Sequence, residues 1–162
     1  REAAFFASEF DRSGDPWNAV NASGHYRKCD GAGAAHGLLE RVSLEGLKSP
    51  KLKSAVRTTH GGAMRDLGRF EEAIRYGAEA HAIMDKDFRP CTLLGAVNFE
   101  LGNYETARDW YTKAAERGAS ERSIDDELRG IYARADKSKR EEIRNFLLRE
   151  DPVRYKWARN LR

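Results

Sequence analysis

The stretch Leu67–Ala80 reads LGRFEEAIRYGAEA, and Leu101–Ala114 reads LGNYETARDWYTKA. The offset is 34 residues at every matched position: Leu67 with Leu101, Gly68 with Gly102, Phe70 with Tyr104, Ala73 with Ala107, Ala80 with Ala114. Upstream, Gly61 pairs with Gly95 at the same offset. A fixed period of this length marks stacked supersecondary units. Glycine inside a helix costs about 1 kcal/mol against alanine, so Gly61 and Gly95 predict a second helix crossing too close for a side chain. Gly68 and Gly102 predict left-handed helix ends. Phe70 and Tyr104 open the next helices, and Ala73 and Ala107 admit the preceding helix at short distance. The spacing predicts antiparallel pairs over 54–67 with 70–84, and 88–101 with 104–117.

The rest of the 162-residue chain reads the same way. Ala, Leu, Glu, Arg and Lys dominate between prolines at 16, 50, 90 and 152, and period-two runs of β-branched residues are absent. The fold expected is all-α. Downstream by one period, Leu128 and Tyr132 take apolar helix positions, Asp136 sits at the turn, and Ile143, Phe146 and Leu147 form one face of the partner helix. Pro152 is expected to start a short last helix with Val153, Trp157 and Leu161 on one face. Toward the N-terminus, Asp15 as cap and Pro16 in the first turn predict a helix through Trp17 and Val20. Cys29–Gly37, CDGAGAAHG, contains the next turn, and Leu38, Leu39 and Val42 supply the following face. Ala3 to Phe10 belongs to a leading helix.

These features resemble the tetratricopeptide repeat, a 34-residue unit of two antiparallel helices. The residues carrying the resemblance are Gly61, Gly68, Phe70, Ala73 and Ala80, then Gly95, Gly102, Tyr104, Ala107 and Ala114. Arg57 and Cys91 stand where the family often has Trp. Tyr111 fits a bulky family position, whereas Gly77 leaves a gap there for a neighbour to fill. The resemblance implies an α–α superhelix: diverged helices over 1–50, clear repeats at 54–87 and 88–121, a degenerate one at 122–151 and a capping helix at 152–162. It also implies a concave groove lined by the first helix of each pair. The groove positions are Ala55, Thr58, Gly62, Arg65 and Asp66; Arg89, Thr92, Ala96, Phe99 and Glu100; and Ser123, Asp126, Gly130, Ala133 and Arg134. Arg65, Arg89, Thr92, Phe99 and Arg134 are the partner contacts expected, with Phe99 and Arg89 foremost. The Lys, Arg and Asn set that grips a peptide's terminal carboxylate in one branch of the family is largely missing.

Composition narrows the chemistry. Hydrophobic residues make up 40% and charged ones 34%, so the chain can bury a core. No stretch reaches the length of a membrane span, and the first residues do not form a signal peptide. A chain beginning at Arg1 is expected to be a processed product or a piece of a longer protein. Cys29 and Cys91 stand far apart, so a reducing, cytoplasmic setting is expected. The glycines of GAGAAHG match neither phosphate-loop spacing. His25, His36, His60 and His81 give no zinc-ligand spacing, so neither metal nor cofactor is expected. No nucleophile–His–carboxylate set can be assembled, and an enzyme within these residues is not expected.

The net charge is +3, but residues 134–162 carry ten basic and five acidic side chains. The function expected is a protein-interaction or scaffold module taking a peptide or helix in its groove. The alternative is nucleic-acid binding through Arg140, Arg144, Arg149, Arg154, Lys156 and Arg159, with Tyr155 or Trp157 stacking on bases.

Overall fold

The computed structural model describes residues 1–160. Nine α-helices occupy these residues: α1 (Glu2–Ser13), α2 (Pro16–Lys28), α3 (Ala32–Glu40), α4 (Pro50–Asp66), α5 (Phe70–Ile83), α6 (Phe88–Glu100), α7 (Tyr104–Glu116), α8 (Glu121–Arg134) and α9 (Lys137–Glu150). Five of the nine starts are marked by a capping side chain. The side chains of Asp15, Ser49, Asp87, Ser120 and Asp136 each accept a backbone N–H in the first turn of the next helix, satisfying a donor that has no partner inside it.

Consecutive helices pack as pairs, and α2, α4, α6 and α8 also contact one another in a row. The arrangement belongs to the stacked helical-repeat, solenoid-like class. Its core is a chain of apolar clusters. One joins α2 and α3 to α1 through Phe10, Ala19, Ala22 and Leu38. Another is built on Ala63, Met64, Ala73 and Val97. A third gathers Phe99, Tyr111, Leu128, Ile143, Phe146 and Leu147.

The repeated glycines act as their spacing predicts. A Cβ on Gly61 would lie 2.7 Å from Leu93 Cδ2 and 3.2 Å from the Ala73 carbonyl oxygen; one on Gly95 would lie 3.0 Å from the Tyr111 ring. Gly68 and Gly102 take φ of +76° and +85°. There Arg69 N donates to Met64 O and Asn103 N to Asn98 O, the same closing bond in both pairs. Leu94 fills the space above Gly77. A Gly61→Val variant is therefore expected to lose about 2–3 kcal/mol from overpacking. Gly37→Ala, a helical site with nothing near its Cβ direction, should gain up to about 1 kcal/mol. Urea unfolding of both variants checks the contrast, and equal effects would contradict the close crossing.

The turn expected within Cys29–Gly37 sits at Cys29–Gly31; Gly33 and Gly37 lie inside α3, because Tyr26 O already accepts from Gly31 N and helix resumes at Ala32. One expectation needs correction. Among the described residues after Pro152 no α-helix forms. Asp151 Oδ1 accepts from both Val153 N and Arg154 N, holding a turn, and a 3-10 segment follows at Lys156–Asn160. Three residues per turn bring Ala158 inward, while Val153 is 79% exposed. Leu161, the third residue expected on that face, lies outside the described residues. No described helix is long and apolar enough to cross a membrane.

Candidate functional site

The row α2–α4–α6–α8 borders a cleft of about 710 Å³. Its polar lining is Arg27 and Asp30 near the end of α2, Arg65 and Asp66 at the end of α4, Glu100 at the end of α6, and Asp126, Glu127 and Arg134 on α8. Equivalent ends of stacked helices lie side by side, so polar residues about one repeat apart converge. A smaller cleft of about 180 Å³ adds Thr58, Gly62, Arg89 and Thr92 and shares Arg27, Arg65 and Glu127 with the first.

Arg65 is the hub. Its Nη2 lies 2.6 Å from Glu100 Oε1, its Nε donates to the same oxygen at 2.8 Å, and its Nη1 donates to Glu127 Oε1 at 3.1 Å. The three side chains are only 13%, 18% and 25% exposed, so these charges are poorly screened. Tyr111 Oη donates to the other Glu127 oxygen at 3.4 Å. Arg134 approaches Glu100 from the rim at 3.4 Å, and Lys139 Nζ donates to the Glu100 carbonyl. Burial pushes the Glu127 carboxyl above its usual range, against the pull of Arg65. Burial also raises the Tyr111 phenol well above its ordinary value, with Glu127 adding to the effect. For Arg65, burial works against the charge, but Glu127 and Glu100 outweigh it and hold the guanidinium more firmly protonated. Arg27 reaches over from α2, its Nε 2.7 Å from Asp66 Oδ2. A Cβ on Gly62 would fall on the Arg27 guanidinium, so glycine there clears its path.

The lining carries five carboxylates (Asp30, Asp66, Glu100, Asp126, Glu127) against three guanidiniums (Arg27, Arg65, Arg134). It is acidic in a chain that is basic overall.

Of the five expected contacts, Arg65 and Arg134 line the large cleft, and Arg89 and Thr92 line the small one beside Arg65. Arg89 also pairs with Asp87 at 3.3 Å. Phe99 is a correction: it is 1% exposed and packs against Tyr104 and Phe146, so it has no surface to offer a partner at the cleft. Its helix, α6, is covered by neighbours on more than one side and buries nine of its thirteen residues, so its register does not separate a groove face from a core face. Sequence reasoning missed Arg27 and Glu127. Glu127 is one residue from the expected Asp126, and Arg27 belongs to a hairpin without the repeat motif.

The basic C-terminal set divides. Arg140 donates to the carbonyls of Tyr132 and Ala133, closing the end of α8. Arg144 donates to Tyr132 Oη and the Ala158 carbonyl. Arg154 pairs with Asp125 at 3.2 Å and Glu121 at 3.6 Å. Arg149, Lys156 and Arg159 are exposed. The Trp157 ring lies under Arg129 and the Tyr155 ring under Arg154, so neither stands alone as a stacking platform.

The histidines are used structurally. His36 Nδ1 and His60 Nε2 meet at 2.7 Å between α3 and α4, with Tyr76 stacked on His60. Cys91 Sγ lies 3.7 Å from His81 Nδ1. Burial raises the Cys91 thiol and lowers His81, which opposes the thiolate–imidazolium state a nucleophile would need. Among the described residues no group of three or more His, Cys, Asp or Glu is placed to hold a metal ion. A scan against protein-family models returns no match to this chain, and neither does a search of the curated proteins.

Proposed function

We propose that this chain is a tetratricopeptide-like interaction module whose groove takes a basic peptide or helix. In this reading 54–87 and 88–121 are its clear units, 122–151 a degenerate one, 1–50 diverged helices and 152–162 the terminal cap. The observation that carries it is the acidic cleft along α2, α4, α6 and α8, which gathers residues about one repeat apart into one lining. A segment bearing Lys or Arg would meet the exposed Asp30 and Asp126 first. The Arg65–Glu100–Glu127 network beneath is held rigid by its own pairs, and such preorganisation lowers the ordering cost of binding. Two free cysteines, one exposed and one buried, fit a reducing cytoplasmic setting.

The nucleic-acid reading draws less support, because Arg140, Arg144 and Arg154 are engaged within the fold. Selection from a random peptide-display library against the full chain tests the proposal. Enriched peptides should carry Lys or Arg, and Asp126→Lys should weaken them about ten-fold, or about 1.4 kcal/mol. Enrichment of acidic peptides, indifference to Asp126→Lys, or competition by single-stranded RNA would overturn it.

A further inference from the structure

Asp126, Gly130 and Arg134 follow one another at four-residue spacing, so they share one side of α8. All three line the acidic cleft. Gly130 leaves a shelf without a side chain, and Arg134 folds back over it: a Cβ on Gly130 would lie 3.3 Å from Arg134 Nη1. A cation in the last turn of a helix meets the dipole equally well from open water. Nothing in α8 itself therefore requires the guanidinium to lie in the cleft.

Its hold there is weak. Arg134 Nη2 reaches Glu100 Oε1 at 3.4 Å, longer than a strong charge-assisted bond, and the side chain is largely exposed. Two nitrogens of Arg65 already approach the same oxygen, at 2.6 and 2.8 Å. Among the described residues nothing donates to Glu100 Oε2. Once Arg27 is on Asp66 and Arg65 lies between Glu100 and Glu127, Asp30 and Asp126 are the lining carboxylates left without an ion pair among the described residues. Swinging Arg134 out to water leaves five carboxylates in the lining against two guanidiniums, Arg27 and Arg65.

We propose that Arg134 is a resident stand-in for an arginine of the partner segment, and that the partner's guanidinium displaces it. This rests on the reading of the cleft as a site for basic segments. The incoming guanidinium takes the shelf over Gly130, donates to Glu100 Oε2 and forks toward Asp126. A planar fork serves carboxylates on two helices, whereas an ammonium is a point charge, so the cleft selects arginine over lysine. In the free chain the shelf is filled, and apparent affinity is reduced by the fraction of molecules in which it is. Arg134 thereby keeps weakly basic segments out.

The test is fluorescence anisotropy of labelled hexa-arginine and hexa-lysine peptides, equal in charge, on the full chain and its variants. Arg134→Gln should bind hexa-arginine about ten-fold tighter than the parent chain, at unchanged melting temperature. Arg75→Gln removes the same charge from an exposed site on α5 outside the cleft, and should change affinity by less than about two-fold. Adding Asp126→Asn to Arg134→Gln should cancel most of the gain, and the gain should be smaller for hexa-lysine. Weaker binding of hexa-arginine by Arg134→Gln, a gain no larger than that of Arg75→Gln, or an equal gain for both peptides would overturn the stand-in. The basic-peptide reading survives those outcomes if Asp126→Lys still weakens binding to the parent chain. If neither peptide binds saturably to the parent or to Arg134→Gln, both fail.

Discussion

An Arg65→Met variant is expected to unfold with about 3 kcal/mol less stability than the parent chain. The guanidinium is the shared partner of Glu100 and Glu127, both largely withdrawn from water. Its removal leaves two carboxylates facing each other across an apolar replacement. Arg134 can compensate Glu100 only from the rim, at 3.4 Å and with a largely exposed side chain. For a chain of this size the loss corresponds to a fall of about 6–12 °C in melting temperature. Arg65→Lys should recover only part of it, since one ammonium cannot fork to two carboxylates on different helices. Adding Glu100→Gln and Glu127→Gln to Arg65→Met should restore much of the stability, because the cost lies in the stranded charges. The deficit of Arg65→Met should also shrink on acidification, as burial already pushes Glu127 toward its neutral form. Urea denaturation at pH 7.5 and pH 5 measures both effects. A variant within about 0.5 kcal/mol of the parent at pH 7.5, the range of ordinary surface substitutions, would remove the hub from the account.

The second large effect is a loss of stability in mild acid, traced to His60. Burial lowers its pKa from 6.5 to about 4, and His36, Arg57 and Arg69 act in the same direction against the weaker pull of Glu72. Tyr76 stacks on the ring, and His36 Nδ1 meets its Nε2 at 2.7 Å. The folded chain thus keeps His60 neutral where the unfolded chain protonates it. Across the window from pH 6.5 down to about 4 the unfolded state binds more protons, so stability falls as the pH falls. The full contribution is about 3 kcal/mol. His60→Gln keeps a partner for His36 and cannot titrate. Carboxylates that titrate in the same range are common to both chains and cancel in the comparison. The parent should therefore lose about 3 kcal/mol relative to His60→Gln between pH 7 and pH 4. Parallel curves would mean that His60 is not held neutral by the fold.

The fold was legible because it is periodic and because its requirements are local. A helix crossing at Gly61 excludes any side chain, and a left-handed end at Gly68 favours glycine. The same two demands recur one repeat later at Gly95 and Gly102. Much of the cleft was legible for the same reason. Arg65, Glu100 and Arg134 follow one another at about one repeat, so stacking brings them together. Phe99 failed on the same logic. Periodicity places a residue on a helix, but the rotation of α6 among its neighbours decides which side is buried. Leu67 and Leu101 match in the repeat and yet both remain exposed at helix ends.

The sequence by itself determined the all-helical class, the pairing of the central helices and the Asp15 cap that begins α2. Each of those follows from backbone demands within a few residues or one repeat. The tertiary structure alone decided the electrostatics. Arg154 is neutralised by Glu121 and Asp125, Arg27 finds Asp66 across two hairpins, and a basic chain thereby presents an acidic cleft. Charge acts through space between long side chains whose reach exceeds the helix spacing, so which charges meet follows from the packed arrangement and not from their order along the chain.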